Sequence, residues 1–444
     1  METNSKETLQ ADFDVFDISE EFGFLLEEPL THLPDHYQVW LDLANNLTHL
    51  IESRKLRDLV DKMPVLSPDL LSDHRELRLA HLALGFISMG YVWQEGQHAP
   101  AEILPKALAL PFWLVSRRLG LPPILTYADS VLANWKLKDP TGDMRIGNMD
   151  LIFSFPGGDT CRGFFIVSLL VEMAASPGIM GALEVMRAIK VSDLTGIKNG
   201  LIKVTQSLEK MKEKFKFMHN HVEPAAFHGK LRIFVSGWRD NPMLPRGVMY
   251  EGVSDEPILL SGGSAAQSSA IQCFDALLCI QHEEETGAFL TRMRDYMPPA
   301  HRQLIETLSV CPPLRDFILS CSNSDLCQAY NSCVSALVDL RNYHLNTVTK
   351  RACEGRDGKI YVSSSDRLRL HISTPVGISY HTDLLSPLYL MDDTGKSCTS
   401  NVHRDMKGDL IGGDRRASSW IENADGSSRS LSSSILSCSQ VKSL

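Results

Sequence analysis

The sequence predicts a mainly α protein in three parts. A small mixed α/β domain over residues 1–150 is packed on a large all-helical domain over 151–350, and a Ser-rich tail over 351–444 is expected to be mostly disordered. Three observations predict this. Apolar residues recur three and four apart in most stretches before Lys350, as helices with one buried face require. Pro100, Pro105, Pro111, Pro122 and Pro123 crowd one stretch, where short elements, turns and a strand or two should replace long helices. After Lys350 there are 19 Ser in 94 residues and no sustained apolar period, too little apolar surface to offset the entropy of ordering.

Along the chain, the first two helices are expected at 35–53 (DHYQVWLDLANNLTHLIES) and 73–92 (DHRELRLAHLALGFISMGYV). Further helices are expected near 163–176, 182–218, 223–236, 265–282, 287–297 and 324–350, with loops at PGG (156–158) and SGG (261–263). The most apolar stretch, GFFIVSLLVEMAA (163–175), is 13 residues long and contains Glu172. A bilayer span needs about 20 apolar residues, so this reads as a core helix and no membrane partner is expected. EKMKEKFKF (209–217) reads as an exposed amphipathic face. No internal repeat is present.

Composition narrows the function classes. Fifty-four acidic residues against 44 Lys and Arg leave a formal charge of −10, the opposite of an electrostatic nucleic-acid binder. Ten Cys contain no C-x-x-C pair, which argues against a zinc ribbon or a thioredoxin-like centre and for reduced intracellular thiols. The polar, acidic N-terminus has no apolar core for a signal peptide, so a cytoplasmic protein is expected. There is no G-x-G-x-x-G, P-loop or H-E-x-x-H, and HEEE (282–285) reads as a solvated helix end.

The final helix carries the most chemistry. Leu326, Tyr330, Cys333, Leu337 and Leu340 form one buried stripe, and its next member is His344, followed by Val348. An imidazole thus points inward where an aliphatic side chain is expected. It is either a core histidine satisfied by a neighbouring carbonyl or carboxylate, or a metal or haem ligand. Arg341, one turn earlier, is either a surface ion-pair partner or a cation held for a carboxylate. A single axial histidine fits a haem iron with an open sixth position.

Such a pocket needs apolar walls. Phe164 and Ser168 lie four apart on one face of the 163–176 helix, where the hydroxyl would ordinarily bond back to the i−4 carbonyl. In HVEPAAFHGKLRIFVSGW (221–238), Phe227, Leu231 and Phe234 share a face, and Arg232 beside it either snorkels to solvent or turns inward to clamp a carboxylate. Ser264 and Gln267 in SGGSAAQ read as a capping box, and the glycine approach also lets a ligand near backbone N–H groups. Asp275 is either a solvated edge residue or the partner of a buried Arg. Two short patterns point to signalling: VMYEGV around Tyr250 resembles a tyrosine-based inhibitory motif, and RRAS (415–418) a basophilic-kinase site.

Together these pieces resemble the indoleamine 2,3-dioxygenase family over roughly residues 15–350. The resemblance rests on ISEEFGFLL (18–26), LPDHY (33–37), PPILTYADSVLANWKLKDP (122–140), CRGFFIVSLLVE (161–172), LRIFVSGW (231–238), MYEGVS (249–254), SGGSAAQSS (261–269), MRDYMPPAHR (293–302) and LRNYHLNTVTK (340–350). HYQVW, DKMPVLS and GYVWQEG are closer to the second, less active paralogue than to the first.

The resemblance implies a haem b enzyme, ferrous when active, that inserts both atoms of O2 across the indole C2–C3 bond of L-tryptophan. The product is N-formylkynurenine, at the first step of the kynurenine pathway, in a cytoplasmic protein linked to immune regulation. It also implies a small mixed domain on a large helical one with haem between them. By the same resemblance His344 is the proximal iron ligand, and Arg341, Asp275 and Ser264 flank the haem. Tyr127, Phe164 and Ser168 surround the indole, and Phe227 and Arg232 stack on the substrate and bind its carboxylate. Gly263, Ser264 and Ala265 form the loop beside haem and substrate. No residue acts as an acid or base.

Three departures stand out. His228 replaces an aromatic residue, and Phe112 replaces the tyrosine of an upstream inhibitory motif, leaving Tyr250 as the site for a weak phosphotyrosine-dependent partner. Residues 351–444 contain neither the Gly-Thr-Gly-Gly-Thr lid loop nor the final helix of the family. An alternative reading follows: a haem-binding or signalling relative with little turnover, because the lid is absent.

Overall fold

Helix ends in this protein follow local capping chemistry. The computed structural model describes residues 15–354, 367–373 and 379–385, with side chains described through Thr347. Helix α1 (Gln38–Asn45) and α2 (Leu47–Glu52) split the expected 35–53 helix at Asn46. Helix α3 (His74–Trp93) opens on a capping box, with Asp73 accepting from the Arg75 N–H and Glu76 reaching back to the Asp73 N–H. It is buried almost all round, as a central helix must be.

The proline-rich stretch differs from expectation. It forms a helix, α4 (Lys106–Leu119), that accommodates Pro111 and ends at Gly120 in the left-handed region, φ 67°. The strands there are two-residue pieces: β1 (Ile103–Leu104) pairs in parallel with β4 (Met249–Tyr250), and β2 (Lys136–Leu137) pairs antiparallel with β3 (Met149–Asp150).

Helix α5 (Asp159–Lys190) runs 32 residues through Pro177, well past the expected 163–176. By length and hydropathy it could cross a membrane, but 61% of its apolar window is buried inside the fold. Helix α6 (Leu194–Phe215) follows, started by the Asp193 cap on the Thr195 N–H. The two helices cross at Gly181 and Gly200, where a Cβ on either would lie 2.6 Å from the other's carbonyl oxygen. Helix α7 (Ser269–Leu277), α8 (Pro299–Val310) and α9 (Ser324–Glu354) complete the principal helices.

Strand β5 (Gln281–His282) pairs antiparallel with β6 (Arg367–Ser373), which pairs with β7 (Ser379–Leu385). The RRAS pattern lies outside the described residues. One continuous core runs from Phe16 to Leu340 and includes the whole stripe Leu326, Tyr330, Cys333, Leu337 and Leu340. The described cysteines are free thiols.

Tyr250 lies inside the fold. It is fully buried on β4, and its hydroxyl donates to the Pro123 carbonyl at 2.6 Å. A kinase cannot reach it without opening the β1–β4 pair. Folded protein treated with a tyrosine kinase should therefore carry no phosphate at Tyr250. Stoichiometric phosphorylation there, read by peptide mass, would show that this region opens.

His301 on α8 fastens the N-terminal segment. Its Nε2 donates to the Asp17 carbonyl at 3.2 Å and its ring packs on Phe24 at 4.5 Å. Burial pushes its imidazole below the ordinary range. The folded protein holds it neutral, whereas the unfolded chain takes up a proton below about pH 6.5. Its contribution is therefore complete above that pH and is lost as pH falls toward the folded value. Urea midpoints should decline on acidification with a component that His301→Leu removes; identical slopes would place the acid sensitivity elsewhere.

Candidate functional site

Helix α9 delivers two side chains with open valences, one turn apart. His344 is half-buried and touches the Phe215 ring at 5.3 Å, but it has no hydrogen-bond partner among the described residues. Loss of solvent pushes its imidazole down to about 4, so it is neutral with a free lone pair at neutral pH. A satisfied core histidine would show a carbonyl or carboxylate partner; this one does not. Arg341 is buried, and its Nη2 donates to both carboxylate oxygens of Asp275, at 2.5 and 2.6 Å.

Asp275 also faces His282 Nε2 at 3.2 Å, so it is the partner of a buried Arg rather than a solvated edge residue. Burial alone would raise its carboxyl; the charges of Arg341 and His282 and their hydrogen bonds outweigh that and hold it below the usual range. Arg341 Nη1 is buried and has no partner among the described residues. A neutral imidazole and a spare guanidinium N–H one turn apart suit a haem, one for its iron and the other for a carboxylate at its edge.

Aromatic residues connect this helix to a second wall. Val167, Met218 and Val222 form a satellite cluster against which Phe164, Phe215, Phe217 and Phe227 pack. Phe215 also touches His344, and Phe164 packs on Phe227 with ring centroids 4.8 Å apart and planes tilted by 45°. Ser168 Oγ donates to the Phe164 carbonyl at 2.8 Å, the ordinary i−4 bond. Gly163 lets α5 lie directly against the His221 carbonyl, where a Cβ could not fit.

The expected 223–236 helix is broken in a useful way. Pro224–Ala226 is one α-turn, Phe227–Leu231 is a π-helix, and Arg232–Val235 is a 3-10 helix. The Arg232 N–H bonds to the Phe227 carbonyl, five residues back. That bond places Arg232 one turn of backbone after Phe227. Leu231 is fully buried.

The SGGSAAQ loop also departs from expectation. Ser264 caps only the short 3-10 helix Ala265–Gln267, accepting from the Ala266 N–H, and Ser268 caps α7. Gln267 makes no capping box. Its Oε1 accepts from the Tyr127 N–H at 2.9 Å and its Nε2 donates to the Gly262 carbonyl at 2.8 Å. Gly262 packs against the backbone of 235–237 with no room for a Cβ, Gly263 would place a Cβ in ordinary contact with the backbone of Leu125 and Thr126 at 3.8 Å, and Ala265 is exposed.

Two features escaped sequence reasoning. Tyr127 OH and Ser268 Oγ both donate to Glu172 Oε1, at 3.0 and 2.5 Å, tying the Tyr127 segment and α7 to α5. His81 Nδ1 meets Asp129 Oδ1 at 2.8 Å while its Nε2 meets the Pro122 carbonyl at 3.2 Å, and Arg78 donates to the Ala128 carbonyl. A carboxylate inside the most apolar helix was the one visible signal for the first; nothing in the spacing announced the second.

Asp275→Ala should strip Arg341 of its partner and lower unfolding free energy by roughly 3–5 kcal/mol, the usual effect of breaking a buried pair from one side. A urea midpoint unchanged from wild type would show that Arg341 finds another acceptor.

The family model described as indoleamine 2,3-dioxygenase matches residues 12–352. Human indoleamine 2,3-dioxygenase 2 is 49% identical over 360 residues, covering 80% of this chain and 88% of that protein. Mouse indoleamine 2,3-dioxygenase 1 is 52% identical over 334 residues, covering 74% and 82%. A myoglobin of Haliotis madaka is 38% identical over 338 residues, covering 76% and 87%. A family match across some three quarters of the chain, over the same residues that build the α5, α6 and α9 walls, places this protein in the indoleamine 2,3-dioxygenase family.

Proposed function

We propose that this chain is a haem-dependent dioxygenase that converts L-tryptophan and O2 to N-formylkynurenine, both oxygen atoms entering across the indole C2–C3 bond. The observation that carries the reading is the unpartnered, neutral His344 one turn from the spare N–H of Arg341. In this reading His344 ligates the haem iron. Arg341, held by Asp275, faces a haem carboxylate, and Ser264 flanks the same group. When bound, the haem supplies the iron chemistry that activates O2.

The remaining residues bind and orient. Phe164 and Phe227 stack on the indole, with Tyr127 and Ser168 completing the wall. Arg232, one turn after Phe227, clamps the amino-acid carboxylate and so fixes the ring by its tail. Gly263, Ser264 and Ala265 give the substrate close backbone approach. Tyr127, Phe164, Ser168, Phe227, Arg232, Gly263 and His344 all keep part of their surface open while flanked by core, as walls of a ligand site do. Apolar walls exclude water from the reacting atoms.

The alternative, a relative with little turnover, is less favoured at 49% and 52% identity to named dioxygenases. We place the protein in the cytoplasm on its free thiols and assign it to immune regulation by family alone. The small domain (1–150) and helical domain (151–350) are kept as the working division.

Purified protein reconstituted with haem and kept reduced should form N-formylkynurenine well above a haem-only blank. His344→Ala should lose the Soret band; a normal band would remove His344 as ligand. Arg232→Ala should keep the band and lose turnover, and unchanged kinetics would mean that another residue holds the carboxylate.

A further inference from the structure

Three carboxylates are buried among the described residues: Asp129, Asp275 and Glu172. The first two face cations, His81 with Arg78 and Arg341 with His282. Glu172 faces only hydroxyl groups. It is 2% exposed, its Oε1 takes the hydrogen bonds of Tyr127 and Ser268, and its Oε2 has no partner among the described residues. Burial pushes its carboxyl up, against the pull of those two donors, and also pushes the Tyr127 phenol up. An ionisable group so placed is not explained by stability, since an apolar side chain of similar volume would fill an apolar helix at lower cost.

Its position gives another explanation. Glu172 lies four residues after Ser168 and eight after Phe164, so all three share one face of α5. Tyr127 belongs to a separate four-residue helix, and Ser268 ends the loop that contains Gly263–Ala265. The backbone of Tyr127 is already tied to that loop through Gln267. The phenol has Glu172 as its acceptor among the described residues. With that acceptor removed, the ring is free to rotate about its side-chain torsions and the loop loses its anchor on α5.

We propose that Glu172 is a positioning residue for the amino-acid substrate: through Tyr127 and Ser268 it locks the loop and the distal aromatic wall into one binding surface. This rests on the assignment of that wall to tryptophan. The carboxyl touches neither substrate nor haem in this role; it sets where Tyr127 stands.

The test uses the full chain loaded with haem. Tryptophan affinity is read from the substrate-induced shift of the haem spectrum, and turnover is followed beside it. Glu172→Leu should weaken tryptophan binding roughly tenfold, with the ligand-free Soret band unchanged. Glu172→Gln, whose carbonyl oxygen still accepts both hydroxyls, should stay within about twofold of wild type.

Tyr127→Phe should weaken binding too, and the Glu172→Leu/Tyr127→Phe pair should be far from additive, because both remove one contact. Wild-type affinity in Glu172→Leu, or full additivity in the pair, overturns the inference while leaving the dioxygenase reading intact. Should the Leu variant fold poorly, Ser268→Ala and Tyr127→Phe, each removing one donor while keeping the carboxyl, should each weaken tryptophan binding, and wild-type affinity in both overturns the inference. Wild-type protein with neither a spectral shift nor product overturns the functional reading, and the inference with it.

Discussion

The backbone contact between α5 and α6 at Gly181 and Gly200 is the constraint on which the site depends. With no side chain between them, the two helices can pack along their length, and α6 then ends with Phe215 near the face of α5 that carries Phe164. Helix α9 lies along α6 through its buried stripe. The exposed pairs Lys198–Asp325 and Lys212–Asp339 run alongside but add little, being solvent-screened. The register of that stripe brings His344 to Phe215. A side chain at Gly181 or Gly200 would push α6 outward and disturb the contact between Phe215 and His344.

Buried charge in this protein marks places where a loop must be held against a helix. Asp275 with Arg341 and His282 joins α7, β5 and α9. Asp129 with His81 and Arg78 fastens the 122–130 segment to α3, so that Tyr127 starts from a fixed backbone. Glu172 completes the set from α5 by fixing the far end of the same tyrosine. Each arrangement sacrifices hydration of charged or polar groups, and each offsets that loss with several short hydrogen bonds to one acceptor. The outcome is a site whose loops inherit the rigidity of helices.

How much of this was legible in the sequence depended on the kind of interaction. The α9 stripe was readable because a period of three and four survives in any packed helix, and His344 stood out by breaking it. The Asp275–Arg341 pair was readable only as two open alternatives, since charge complementarity 66 residues apart has no local signature. The 223–236 segment was misread because its apolar spacing suits an α-helix, while the π-turn that places Arg232 one turn after Phe227 arises from a backbone register that side-chain period does not encode. Gln267 was assigned to a cap for a similar reason: its true partners, Tyr127 and Gly262, include one 140 residues away. The proline run hid α4 because Pro111, in the second turn, is tolerated within a helix packed on both sides.

The distribution of charge fits the proposed chemistry. The titratable groups that burial perturbs at the walls, His344 pushed down and Glu172 and Tyr127 pushed up, are biased toward their neutral forms. In the proposed reading fixed positive charge comes from Arg341 and Arg232. In that reading the two cations serve two carboxylate-bearing molecules, the haem and the amino acid, and the site orients its reactants. A protein that contributes orientation alone is sensitive to small displacements of its walls, because misplacing a ring by an ångström removes alignment without removing contact. In the proposed reading, that is why the hydroxyl–carboxyl knot around Glu172 bears on substrate affinity.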